Sequence, residues 1–148
     1  NQINQPASFL ATSAAEAAKK VNAKVIGVDV DQAGIIDGGY GEGMTLTSAM
    51  KGLAPATIDT LTDIVKNGNW SKYVGKIATL GLVSGDPELN YVQIPMESTQ
   101  WAEGKFTKDD YKALVKDMFD GKITVSNDTS KLPDVTNVTI DDQGKIKG

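Results

Sequence analysis

The stretch "VIGVDVDQ", Val25 to Gln32, constrains this chain more than any other. An almost unbroken apolar run reads as a strand buried on both faces, and such strands occur mainly in parallel sheets flanked by helices. The expected fold class is therefore α/β. The run closes on two carboxylates, Asp29 and Asp31, one residue apart. A carboxylate at the far end of such a strand lies at the carboxyl edge of the sheet, which is where open α/β folds bind ligands.

The surroundings keep the α/β rhythm of helix, strand and helix. "ASFLATSAAEAAKKVNA" places Leu10, Ala14, Ala17, Ala18 and Val21 at helical spacing and predicts a helix from about Ser8 to Val21, with late lysines that suit its C-terminal dipole. After the strand, "DQAGIIDGGYGEG" is so rich in glycine that it predicts a loop. Met44 to Ser48 reads as a short alternating strand. "AMKGLAPATIDTLTDIVKNG" is the clearest amphipathic helix, with Leu53, Ile58, Leu61, Ile64 and Val65 as its stripe and Gly68 as its stop. Pro55 fits only in the first turn. "KIATLGLVSG" and "NYVQIPM" are strand-like around a turn, "SGDPEL". Thr107 is the expected N-cap of a helix bearing Tyr111, Leu114, Val115, Met118 and Phe119, ended by Gly121. "KITVSN" reads as another short strand, and "NVTIDDQGKIKG" as two strands around Asp142-Gln143-Gly144.

Charge and composition exclude several kinds of function. All 15 cations are lysine, against 19 carboxylates, for a net charge of -4. A mildly acidic chain without arginine is poorly suited to nucleic acid, where affinity comes from basic patches on phosphate. Histidine and cysteine are absent, which removes disulfides, thiol nucleophiles, Cys/His zinc sites and a Ser-His-Asp triad. No cofactor is expected. No apolar run approaches the ~20 residues a membrane helix needs. At 148 residues the chain fits one domain or one large piece of a bigger protein. Its opening, "NQINQPASFL", reads as a mature or trimmed start.

Asp29 and Asp31 have three readings on spacing alone. They are a polar strand end with a helix cap, a set of ligand hydrogen-bond acceptors, or an acid/base or Ca2+/Mg2+ pair. If both stay in the strand they share a face and repel; if the strand ends between them, Asp29 faces the crevice and Asp31 joins the loop. Lys51, in "LTSAMK", stands at a strand-to-helix junction from which it can reach the same crevice. A lysine at a helix start opposes the dipole, and that local conflict draws attention to it. Gly38, Gly39, Gly41 and Gly43 lack the Gly-Lys-Ser/Thr ending of a phosphate loop. Trp70, Tyr73, Tyr91 and Trp101 read as packing residues.

The blocks "VIGVDVDQ", "LTSAMKG" and "GKIATLGLVSG", in that order, resemble the basic membrane protein family, the PnrA-like group of nucleoside-binding lipoproteins that serve ABC importers. Asp29 and Lys51 stand 22 residues apart, as in that family, and "DGKITVSND" is similar to its closing helix and strand. The resemblance runs from about Ser8 to Asn127. It implies the type I periplasmic-binding-protein fold, of which this chain is the C-terminal portion. Residues 1–46 would hold a second-lobe helix and strand, 47–127 the crossover and helices, and 128–148 a hairpin-like tail. It further implies a non-enzymatic, extracytoplasmic, membrane-anchored receptor that hands a nucleoside to an ABC permease. Asp29 would accept ribose hydroxyls and Lys51 would donate to the same sugar; no metal site is implied. Surface that packs against the rest of such a receptor would favour self-association of the chain alone. A sensing domain on the same fold is the alternative reading, and an enzyme using Asp29 and Asp31 is a third.

Overall fold

A computed structural model describes residues 6–126 and, beyond them, 128, 130–132, 134–136, 139–140 and 144; the side chains of residues 6–10 are not described. The order of elements is α1 (Pro6–Lys20), β1 (Val25–Asp29), α2 (Ala33–Tyr40), β2 (Thr45–Lys51), α3 (Leu53–Val65), β3 (Val92–Gln93) and α4 (Lys108–Phe119). Short 3-10 turns occupy Trp70–Lys72 and Pro87–Leu89. The α/β class is borne out. The sheet is mixed, however, where an all-parallel one is expected: its order is β1-β2-β3, with β1 parallel to β2 and β3 antiparallel to it.

The core is small because one side of the sheet is covered and the other is bare. Helices α1 and α2 pack on each other and on β1 and β2. Ala15, Ala18 and Ile36 are buried there, as are Gly27, Thr45 and Ser48. Ile26 and Val28 alternate with Gly27 and lie 63% and 50% exposed. The apolar run of β1 is therefore not buried on both faces. Its pattern has no second layer to fill among the described residues.

Helix α2 overturns the expected glycine-rich loop. Gly34, Gly38 and Gly39 each disfavour helix by up to ~1 kcal/mol relative to alanine, yet the segment is helical. Tertiary anchors offset that cost. Ile36 is buried, and Asp37 accepts hydrogen bonds from the Gly43 amide at 3.0 Å and the Thr45 amide at 2.8 Å, which ties the helix end to the start of β2. The turn between them uses Gly41 and Gly43 at φ of 121° and 76°.

Helix α3 forms where its periodicity places it, with Pro55 in the first turn and Gly68 (φ 69°) just beyond its end. Its stripe is not core: Leu53, Ile58, Leu61 and Val65 are all exposed. Polar bonds hold it instead. Asp63 accepts from Asn67 (3.1 Å), Asn69 (2.7 Å), Lys72 (2.8 Å) and the Tyr73 hydroxyl (2.7 Å), and Tyr91 donates to Asp59 at 2.9 Å.

Helix α4 begins at a capping box: Thr107 Oγ1 accepts from the Asp110 amide and Asp110 Oδ2 accepts from the Thr107 amide. Val115 is its buried residue, and Gly121 (φ 75°) follows it. Trp101 packs near Phe106 and Tyr111, with ring centroids 6.5 and 5.7 Å away, whereas Trp70 is exposed.

Among the described residues no strand forms at "KIATLGLVSG" or at 122–126 of "KITVSN", and "NYVQIPM" contributes only Val92–Gln93. A strand needs a partner ladder, and none of these segments except Val92–Gln93 finds one among the described residues. The turn at "SGDPEL" is organised by Asn90, which is buried. Its Oδ1 accepts from Val83 and Ser84, and its Nδ2 donates to the carbonyls of Ser84 and Asp86. The hairpin expected around Asp142-Gln143-Gly144 falls largely outside the described residues.

Candidate functional site

Asp29 is the last residue of β1 and Lys51 the last of β2, and the parallel register sets Asp29 opposite Met50. Both side chains thus stand at the carboxyl ends of neighbouring parallel strands. Lys51 Nζ lies 2.8 Å from Asp29 Oδ1. The two groups singled out in the sequence, 22 residues apart, form one ion pair. The pair is open to solvent, with Lys51 65% and Asp29 40% exposed by side chain. Lys51 belongs to the strand, and the helix starts only after Gly52.

The backbone at Asp29 is unusual. Its φ is 72°, in the left-handed region, and the Val30 amide donates to the Val28 carbonyl at 2.9 Å. A positive φ bridged by an i to i+2 hydrogen bond is the signature of a γ-turn of the rare, strained kind. Strained residues of this sort cluster at ligand clamps and active sites. The turn swings the chain out of the ladder immediately at the carboxylate, so β1 ends between Asp29 and Asp31. This is the arrangement in which the two carboxylates part company.

Asp31 accordingly has different partners. Its Oδ1 accepts from the Ala33 amide at 3.1 Å, an Asx-type turn that opens α2, and its Oδ2 accepts from the Ser98 hydroxyl at 2.7 Å. That is a structural use of Asp31. Among the described residues no group of three potential ligand side chains is gathered to hold a metal ion.

Two further residues of the same blocks support the turn, and composition gave no reason to single them out. Gln32 is buried; its Oε1 accepts from the Val28 amide at 2.9 Å, and its own amide donates to Ser48 Oγ at 3.1 Å. Gly27 makes room for both. A Cβ there would lie 2.5 Å from Ser48 Oγ and 3.0 Å from Gln32 Oε1. The available signal was a glutamine directly after the two aspartates, in a position where the chain must leave a strand.

The strongest electrostatic shifts lie away from the pair. Burial pushes the Asp37 carboxyl up, but hydrogen bonds from Thr45 and Gly43 and the Lys24 charge outweigh it, and its pKa is lowered. Asp63 is lowered far below the usual carboxylate range, chiefly by the hydrogen bond from Lys72 and then those from Tyr73, Asn69 and Asn67. Tyr73 is raised by the same bond to Asp63. Two of the larger cavities are also elsewhere. One of about 310 Å³ lies between α3, Tyr73 and Tyr91, and one of about 380 Å³ lies between Gly85–Glu88 and α4. The Asp29–Lys51 pair is instead an open edge. It offers an acceptor, Oδ2, and ammonium N–H groups that have no other partner among the described residues.

Comparison with known proteins returned no matching family model, no matching curated protein and no matching solved structure.

Proposed function

We propose that this chain is the C-terminal portion of an extracytoplasmic solute-binding component of an ABC transporter, on the type I periplasmic-binding-protein fold, and that it binds purine nucleosides through Asp29 and Lys51. The observation that carries this reading is the 2.8 Å contact between Asp29 and Lys51 at the carboxyl ends of two parallel strands. A vicinal diol fits such a pair: its hydroxyls donate to the carboxylate and accept from the ammonium. Charge-assisted bonds of this kind are the strong ones. A site built around them discriminates against a sugar that lacks the hydroxyls, since its polar groups would be left unpaired.

The reading is non-enzymatic, and the nucleoside leaves the site unchanged for delivery to a permease. Small-molecule sites bury most of their ligand, so an opposing lobe supplies the second wall in the complete receptor, which is anchored to the membrane as a lipoprotein. The bare sheet face at Ile26 and Val28 and the exposed stripe of α3 are consistent with further protein packing there. Calorimetry of the full-length receptor with adenosine and with 2',3'-dideoxyadenosine tests the reading. Binding of the first, lost with the second and returning intact adenosine on release, is the expected result. Equal affinity for the two would rule out recognition through the ribose hydroxyls.

A further inference from the structure

We infer that Gln32 is a positioning residue for the site: with Ser48 it holds Asp29 in its γ-turn and so aims the carboxylate at Lys51. The inference rests on the nucleoside reading for its functional consequence, and on the geometry alone for its structural one. A left-handed φ at a non-glycine residue persists only where the surroundings over-determine it. Here the surroundings are identifiable. The residue before Asp29 has its amide held by Gln32 Oε1 at 2.9 Å, and its carbonyl is taken by the Val30 amide at 2.9 Å. Both polar groups of Val28 are thus tied, one to the residue after Asp29 and one to a side chain three residues after it.

Gln32 is in turn immobilised. It is 5% exposed, its amide donates to Ser48 Oγ at 3.1 Å, and Ser48 is itself fully buried in β2. Ser48 lies opposite Gly27 in the register, and Lys51 is three residues further along the same strand. The brace therefore references the Asp29 turn to the strand that carries Lys51. Gly27 completes it, because any side chain there would occupy the space of Ser48 Oγ and the Gln32 side chain. The acceptor oxygen of Gln32 is used on the backbone of Val28. Its effect passes through Asp29.

The test compares the wild type with Gln32→Met, which keeps the length of the side chain without the acceptor, and Gln32→Glu, which restores an acceptor oxygen at pH 7. Two readouts are taken on the full-length receptor: amide hydrogen exchange at Val30, which reports the γ-turn, and adenosine affinity. Gln32→Met is expected to speed Val30 exchange at least tenfold without moving the global unfolding midpoint to match, and to weaken adenosine at least tenfold. Gln32→Glu is expected to recover most of both. Unchanged Val30 exchange in Gln32→Met, or adenosine affinity equal to wild type, overturns the inference. If Gln32→Met fails to fold, Ser48→Ala takes its place, with the same expected changes and the same overturning results. Should adenosine bind no form while Val30 exchange responds as stated, the brace stands and the nucleoside reading falls.

Discussion

Lys51 Nζ sits 2.8 Å from Asp29 Oδ1, and the backbone that presents this carboxylate is held at a φ of 72°. The contact is cheap to form and the conformation is not. An exposed ion pair is worth ~0–1 kcal/mol, whereas a non-glycine residue at positive φ costs on the order of 1–3 kcal/mol. The local balance is unfavourable, so the turn has to be held by its surroundings.

Asp29→Ala is therefore expected to abolish measurable nucleoside binding while the protein remains folded. Each charge-assisted bond lost should cost roughly 1.5–3 kcal/mol of affinity. Asp29→Gly should lose binding equally and yet be more stable than Asp29→Ala by ~1 kcal/mol, because glycine adopts positive φ without strain. Urea unfolding and calorimetry on the pair check both halves. An alanine variant as stable as the glycine variant would contradict the strained turn.

Lys51→Met should leave stability within about 1 kcal/mol of wild type, since the pair is exposed. Nucleoside affinity should fall, because the sugar loses a charge-assisted donor. Calorimetry and urea unfolding of the variant read the two effects separately.

Two glycine substitutions should differ in severity for a geometric reason. At Gly52 a Cβ would fall 2.3 Å from the Asn90 carbonyl oxygen and 2.9 Å from Tyr91 Cα, both backbone atoms. At Gly27 the obstacles are side-chain atoms of Ser48 and Gln32. Overpacking costs ~1–3 kcal/mol and occasionally more. Gly52→Ala is expected at or beyond the upper end of that range, because a backbone neighbour cannot step aside, and Gly27→Ala within it. Denaturant midpoints that rank the two the other way would show that the Gly52 contact can relax.

Acid should release the segment after α3. Lys72 and the other donors lower the Asp63 pKa, so its folded value lies below its unfolded one. The sign follows: its contribution is present above the ordinary aspartate pKa of ~3.9 and is lost as pH falls through the folded value. At the alkaline end the Lys72 pKa is raised by Asp63, and that contribution is lost as pH rises through its folded value. Trp70 stands in the tethered segment, so its fluorescence should report both limbs. Asp63→Asn should flatten the acid limb; an unchanged acid limb in that variant would assign the transition to other carboxylates.

The chain on its own is expected to self-associate, because Ile26 and Val28 on the sheet and Leu61 and Val65 on α3 are all exposed. Sedimentation should show species larger than the 15.7 kDa monomer, and Ile26→Lys with Leu61→Lys should shift the distribution towards monomer. A wild-type chain that sediments as a clean monomer at high concentration would remove this expectation.

Much of the helical structure was legible because its signals are local. Alanine periodicity with trailing lysines marked α1, and the Thr107 N-cap ahead of an apolar stripe marked α4. The strand bearing Asp29 could be read for the same reason, whereas the strand expected at Met44 to Ser48 forms at Thr45–Lys51 and takes in Lys51, which was expected at the strand-to-helix junction. What only the tertiary structure decided involves partners far apart in sequence. Helix α2 survives its glycines because Asp37 is tied to Thr45 and Ile36 is buried. The stripe of α3 is helical in period but lies in solvent, since a period names a face and says nothing of whether a second layer meets it. The separation of Asp29 from Asp31 depends on the γ-turn at Asp29, on Gln32 and Ser48 behind it, and on Ser98, 67 residues beyond Asp31. Residue types at short spacing determine which backbone states are favourable. Which of two neighbouring carboxylates faces a lysine is settled by packing and hydrogen bonds that close only when the distant strands meet.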